Sequence, residues 1–190
     1  MPVFAETEMK QRIMIVDDEI NILNAMKRLI SYSLRIHGDE TVAVEVFSDP
    51  DQALKRLQEV HFGVIISDYK MPKMSGVDFL AAARAIQPDS FRMILSGYAD
   101  LNAIIAAINI AGIQRFAAKP WVDHELISVI SEGLRIHQLT MENKALLNEL
   151  KLTKGSISPY EAELERLEMM EPGLTRVNFA PDGSIIMDDF

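Results

Sequence analysis

Gly63-Val64-Ile65-Ile66-Ser67-Asp68 is the stretch on which the fold turns. Its apolar run is short and β-branched, with no polar alternation. Such runs suit a strand of a parallel sheet covered on both faces. It ends in a carboxylate, and similar runs recur on either side. Upstream, Arg-Ile-Met-Ile-Val (12 to 16) leads into Asp17, Asp18 and Glu19. Downstream, Phe91 to Leu95 leads into Ser96-Gly97, and Gln114 to Ala118 into Lys119-Pro120. Val42 to Phe47 reads as one further strand, after a polar turn from His37 to Thr41.

The segments between these runs carry helical periodicity. Ile22, Leu23, Met26, Leu29 and Ile30 fall on one helix face. Ser48-Asp49-Pro50 caps a helix whose Ala53, Leu54 and Leu57 point inward. A loop from Tyr69 to Gly76 leads to a helix over Val77 to Ile86, and Leu101 to Ala111 is a further, very apolar helix. Asp123 opens a last, longer one. Five strands alternating with five helices imply an α/β fold with a five-stranded parallel, doubly wound sheet of right-handed crossovers. Ligands of such sheets sit beyond the carboxyl ends of the strands. The polar residues there are Asp17, Asp18, Asp68, Ser96 and Lys119.

Bulk properties exclude several classes. The 190 residues make one ordinary domain plus some excess. With 48% hydrophobic and 25% charged residues the chain is globular in composition. A net charge of −9 opposes binding to nucleic acid or an anionic membrane. The absence of cysteine rules out a disulfide framework or a thiolate metal site, and fits a reducing compartment. The first ten residues lack an apolar leader core. The longest apolar stretch, Ile104 to Ile113, is interrupted by Asn109 and Gly112 and is too short to span a bilayer. The expectation is a cytoplasmic, soluble protein with no nucleic-acid or membrane partner.

Three carboxylates close together resist joint ionisation, and a hard divalent cation relieves the repulsion. Oxygen donors without His or Cys suit Mg²⁺, which keeps several waters and pairs with phosphate. An ionised carboxylate can attack phosphorus to give an acyl phosphate. Lys119 and a metal would supply positive charge to the transferring group, and the Ser96 hydroxyl a hydrogen bond.

Four segments carry a resemblance. They are Val-Asp-Asp-Glu (16 to 19), Ser-Asp-Tyr-Lys-Met-Pro-Lys-Met-Ser-Gly (67 to 76), Leu-Ser-Gly-Tyr-Ala-Asp (95 to 100) and Arg-Phe-Ala-Ala-Lys-Pro-Trp (115 to 121). Over about residues 11 to 138 the chain resembles the CheY-like receiver domains of bacterial two-component response regulators, with a flavodoxin-like fold. The resemblance implies that Asp68 is the phosphoacceptor. It makes Asp18 a direct Mg²⁺ ligand, with Asp17 assisting through water and the Lys70 backbone carbonyl as third protein ligand. Ser96 is then the switch hydroxyl, and Lys119 the lysine that contacts the phosphate, before a Lys-Pro bond that is often cis. Phe116 is either the switch aromatic or simple core packing. Pro72 and Gly76 shape the loop. Lys70 either alters the lifetime of the phosphorylated state or is a solvated loop lysine. The implied partners are a sensor histidine kinase or phosphotransfer protein and a downstream protein target. No enzymatic activity is expected beyond self-phosphorylation from a donor and autodephosphorylation. The remodelled face would be that of the helix at 101 to 111, the fifth strand and the last helix. The helix at 101 to 111 is either a buried helix or a dimer or partner face. A Mg²⁺-dependent phosphohydrolase would place its nucleophile after the first strand, which this chain does not.

The domain organisation expected is a tail at 1–10, the receiver at 11–138, an extension of the last helix at 139–152, and an appendage at 153–190. Along the last helix, Ile136, Leu139, Asn143, Leu146 and Leu150 follow an a/d heptad pattern, with Asn143 at an a position. This fits a homodimer through paired helices, or a helix folding back on its own domain. In the appendage Ser158-Pro159-Tyr160-Glu161 is a helix start, and that helix ends by Pro172-Gly173. Thr175 to Phe179 and Ser184 to Met187 flank Ala-Pro-Asp-Gly as a β-hairpin. No helix-turn-helix, kinase, cyclase or His-Asp hydrolase motif occurs there. The chain is either a stand-alone regulator or the receiver of a longer one.

Overall fold

A computed structural model describes residues 11–36, 42–97, 111–154 and 157–170. Its elements in chain order are β1 (Arg12–Val16), α1 (Ile20–Ile36), β2 (Ala43–Phe47), α2 (Pro50–Leu57), β3 (Val64–Asp68), α3 (Gly76–Ile86), β4 (Phe91–Gly97), β5 (Arg115–Lys119), α4 (Asp123–Thr153) and α5 (Pro159–Met170). The tail at 1–10, the turn at 37–41, the helix expected over 101 to 111 (Ala111 apart) and the hairpin beyond 174 lie outside the described residues.

The five strands form one parallel sheet in the order β2-β1-β3-β4-β5. Strand order reverses between β1 and β3, the position where such sheets bind ligands. β3 is central and every one of its residues is buried, as its unbroken apolar run requires. β2 lies at an edge and is only half-buried. On one face Ile13, Ile15, Val64, Ile66, Met93 and Leu95 pack under α1 and α4. On the other, Met14, Val16, Ile65 and Ile94 pack under α2 and α3. Of the α1 face, Leu23, Met26 and Ile30 are buried in the core, with Ile22 and Leu29 packed against it.

β4 continues two residues past the apolar run, because Ser96 and Gly97 pair with Ala118 and Lys119 of β5. Arg92 is buried in the same strand. Its guanidinium donates to the carbonyls of Gly112, Pro88 and Ser90 at 3.1, 3.1 and 2.7 Å. Gly112 takes φ of 60° at the turn into β5, a conformation that disfavours side chains.

α4 has 31 residues and runs well past the sheet. Its Gly133 lies so close to Phe91 that a Cβ there would sit 2.5 Å from the ring. α5 turns back against α4. The Ser158 hydroxyl accepts from the Glu161 N–H at 3.2 Å, and Glu161 accepts from the Ser158 N–H at 2.7 Å. This is the reciprocal cap that the Ser-Pro-Tyr-Glu spacing predicts. At its far end the Glu168 carbonyl accepts from His61 Nε2 at 2.9 Å, which ties the appendage to the receiver.

Candidate phosphoacceptor site

The ends of β1, β3, β4 and β5 meet at one edge of the sheet. Asp17 follows β1 and is 1% exposed. Its N–H donates to Phe47 O at 3.1 Å, so the ladder holds its backbone. Its Oδ1 accepts from the Glu19 N–H at 2.9 Å, and its Oδ2 from Lys119 Nζ at 2.6 Å. Asp68 ends β3 and pairs with Leu95 of β4. Its Oδ2 accepts from the Lys70 N–H at 2.8 Å, and its Oδ1 lies 2.5 Å from Lys119 Nζ. One ammonium thus bridges two buried carboxylates from two other strands.

Burial raises the Asp17 pKa above the usual carboxylate value, against the hydrogen bonds from Lys119 and Glu19. Burial also works against the charge on Lys119, but its bonds to Asp17 and Asp68 outweigh it and raise its pKa. The ammonium therefore stays charged between the two acids.

The other sequence candidates take different places. Ser96 is buried on β4, and its hydroxyl donates to Gly97 O at 3.3 Å. Asp18 and Lys70 are exposed. Among the described residues no three carboxylate or imidazole side chains converge as a ready-made metal group. Phe116 is half-buried and packs against the cluster of Met14, Val16 and Ile94. The Lys119–Pro120 bond is cis. The close approach of Gly76 to the Asp68 carbonyl has a local cause, since the Gly76 N–H donates to Tyr69 O at 2.9 Å and closes the loop on itself. The direct Lys119–Asp17 bond was not anticipated. Nothing short of the strand register could have announced it, because 102 residues separate the two in sequence.

The donor set suits Mg²⁺. It is all oxygen, and the two buried carboxylates already converge on one positive centre. Asp17, Asp18 and Asp68 carry three negative charges against the single charge of Lys119. Mg²⁺ needs only one or two carboxylates, since it keeps its waters.

Residues 13–131 match the family model described as the response regulator receiver domain. The chain belongs to the response regulator receiver family. The chain is 34% identical over 145 residues to the hydrogenase transcriptional regulatory protein HoxA of Bradyrhizobium diazoefficiens, covering 76% of this chain and 28% of that protein. It is 25% identical over 155 residues to the transcriptional regulatory protein FixJ of the same organism, covering 82% and 72%. The chain thus spans little more than a quarter of the HoxA length. Among solved structures, an uncharacterized protein from Neptuniibacter caesariensis aligns with a TM-score of 0.63 at 39% identity, over 70% of this chain and 93% of that one. A CheY-like response regulator receiver domain protein from Methanospirillum hungatei aligns with a TM-score of 0.60 at 27% identity, over 68% and 98%. The doubly wound sheet is therefore that of a two-component receiver, a class of signalling domain. No helix among the described residues is long and apolar enough to cross a membrane.

Proposed function

We propose that this receiver takes a phosphoryl group on Asp68 from a histidine kinase or phosphotransfer protein and passes the signal to a protein partner. The observation that carries the reading is the position of Asp68. It is 7% exposed, it ends the central strand, and its carboxylate lies 2.5 Å from Lys119 Nζ. An Asp68 carboxylate oxygen attacks phosphorus, the bond from phosphorus to the donor breaks, and the donor leaves with that electron pair. Asp17, Asp18, Asp68 and the Lys70 carbonyl would hold Mg²⁺, which supplies charge neutralisation to the phosphoryl oxygens. Lys119 stays cationic beside the group and orients it. The Ser96 hydroxyl, buried on the neighbouring strand, would bond a phosphoryl oxygen, and Phe116 would turn inward in response. Lys70, whose backbone N–H donates to Asp68 Oδ2 at 2.8 Å, alters the lifetime of the acyl phosphate. The receiver occupies 11–138, and 139–190 relays its state.

The test is phosphate incorporation from acetyl phosphate with Mg²⁺, read by intact mass. Wild type gains one phosphoryl group and Asp68→Asn gains none. Incorporation retained in Asp68→Asn overturns the assignment.

A second reading, that this receiver belongs to a longer regulator with an output segment, is supported by the short share of the two HoxA proteins that the chain covers, 28 and 27%. Phosphorylation of the 190-residue chain would be the same in both. They differ in whether that chain alone restores the response in cells lacking the protein.

A further inference from the structure

Ser67, the residue before Asp68, has no part in the chemistry proposed above, yet it is fully buried. Side chains alternate along a strand, so it points to the opposite face of the sheet from Asp68. It stands beside the first residue of α3, where a Cβ on Gly76 would lie 3.0 Å from its Oγ. Met14, Val16, Ile65 and Ile94 make the sheet side of that layer apolar. A hydroxyl is out of keeping there, and it is not used across the layer. It donates to the carbonyl of Asp68 at 2.9 Å.

That carbonyl depends on it. Gly76 covers the carbonyl so closely that a Cβ there would come within 1.9 Å. Three amides around it bond elsewhere: Tyr69 N–H to Leu95 O at 2.8 Å, Lys70 N–H to Asp68 Oδ2 at 2.8 Å, and Gly76 N–H to Tyr69 O at 2.9 Å. A covered carbonyl left without a donor is costly, and the Ser67 hydroxyl is the donor it has. The bond also bears on the carboxylate. Asp68 Oδ2 and the Lys70 N–H close a ring from side chain to backbone two residues on. The Asp68–Tyr69 peptide is one side of that ring. Leu95 O holds its N–H end and Ser67 Oγ holds its C=O end. With both ends held the peptide does not turn, so Oδ2 stays on the Lys70 N–H and Oδ1 stays 2.5 Å from Lys119 Nζ.

We infer that Ser67 is a positioning residue for the phosphoacceptor. It does not touch the phosphoryl group. It locks the Asp68–Tyr69 peptide and thereby fixes the aim of the Asp68 carboxylate. The inference rests on the reading of Asp68 as the residue that takes the phosphoryl group.

Three variants of the full chain test it. Ser67→Ala removes the donor, Ser67→Thr keeps the hydroxyl, and Ile30→Val lowers stability from the α1 side without touching the end of β3. With acetyl phosphate and Mg²⁺, followed by intact mass, Ser67→Ala takes up its phosphoryl group about tenfold more slowly than wild type, as a misaimed reacting group should. Ser67→Thr and Ile30→Val react at close to the wild-type rate. Amide exchange read by NMR on the protein without Mg²⁺ gives a second signature. The Lys70 N–H exchanges faster in Ser67→Ala while the amides of Ile65 and Ile66 are unchanged; a general loss of stability would speed all three. A Ser67→Ala protein as fast as wild type, a Ser67→Thr protein as slow as Ser67→Ala, or an unchanged Lys70 amide in Ser67→Ala overturns the role of Ser67 and leaves Asp68 as the acceptor. A wild type that takes up no phosphoryl group, or an Asp68→Asn protein that takes one up, overturns the reading of Asp68 and this inference with it.

Discussion

Gly76→Ala separates two physical effects that point in opposite directions. Gly76 is the first residue of α3, and a Cβ built on it would lie 1.9 Å from the carbonyl oxygen of Asp68 and 3.0 Å from Ser67 Oγ. Real Cβ contacts do not fall below 3.0 Å, so one element must move by more than 1 Å (3.0 minus 1.9). Asp68 cannot give way easily, because β3 is paired on both sides. α3 is held by its Ser75 cap, with Asp78 N–H donating to Ser75 Oγ at 3.1 Å, and by buried Phe79 and Leu80. Helix propensity alone would favour alanine by roughly 0.5–1 kcal/mol. Overpacking costs about 1–3 kcal/mol, and an unyielding backbone carbonyl places this case at the upper end. The net loss is about 2 kcal/mol, or about 4–8 °C in Tm for a chain of this size. Gly97→Ala is the control: a Cβ there meets nothing within 4 Å, so stability changes by less than about 0.5 kcal/mol. Thermal and urea unfolding followed by circular dichroism read both variants. The part of that shift taken up by Asp68 moves its carboxylate relative to Lys119, so phosphate incorporation from acetyl phosphate slows in Gly76→Ala. A Gly76→Ala protein as stable as wild type would refute the argument from close approach.

His137, against Gly63, has its pKa lowered from 6.5 to about 4, first by burial and then by nearby His61. Lys144 adds to the shift and Asp89 opposes it. The unfolded chain takes up a proton that the fold refuses, so stability is complete above 6.5 and is lost as pH falls toward 4. Unfolding free energy at pH 5 should be about 2 kcal/mol lower than at pH 7, and His137→Gln should remove most of that difference. Lys119→Met leaves Asp17 and Asp68 buried together without a cation and should cost about 3 kcal/mol at neutral pH. Added Mg²⁺ should recover part of that loss, and denaturation with and without Mg²⁺ shows whether it does. His61→Ala removes the bond to the Glu168 carbonyl. It should speed amide exchange across 159–170 while the receiver loses no more than about 1 kcal/mol, and unchanged exchange there would mean that α5 is held by its packing on α4 instead.

What could be read in the sequence was what local pattern encodes. β1 after Arg12, the start of β3, and β4 from Met93 to Leu95 are apolar runs because both faces of an inner parallel strand are covered, and their positions followed directly. The cap at Ser158 and Glu161 was equally legible, since both partners lie within one turn. The acids at the ends of β1 and β3 could be listed, but not their distances. Asp17 and Lys119 meet only through strand order. Asp18, next to Asp17, faces solvent because successive residues leaving a strand point to opposite sides. Arg92 was read as part of an apolar strand, and its burial depends on carbonyls supplied by the turns at 88–90 and 112. The return of α5 to His61 was invisible for the same reason. It joins two segments, 107 residues apart, whose local sequences do not mention each other.

The order of strands also divides the sheet mechanically. β3 is flanked by β1 on one side and β4 on the other, so Asp68 stands on the stiffest part of the plate. Among the described residues β5 is bonded along one side only, and it carries Lys119 at its tip and Phe116 next to its start. A load applied through the ammonium therefore meets an anvil at one end and a cantilever at the other. A charge placed on Asp68 would leave its own strand where it is and deflect β5, which lies farther from the sheet's centre and next to α4.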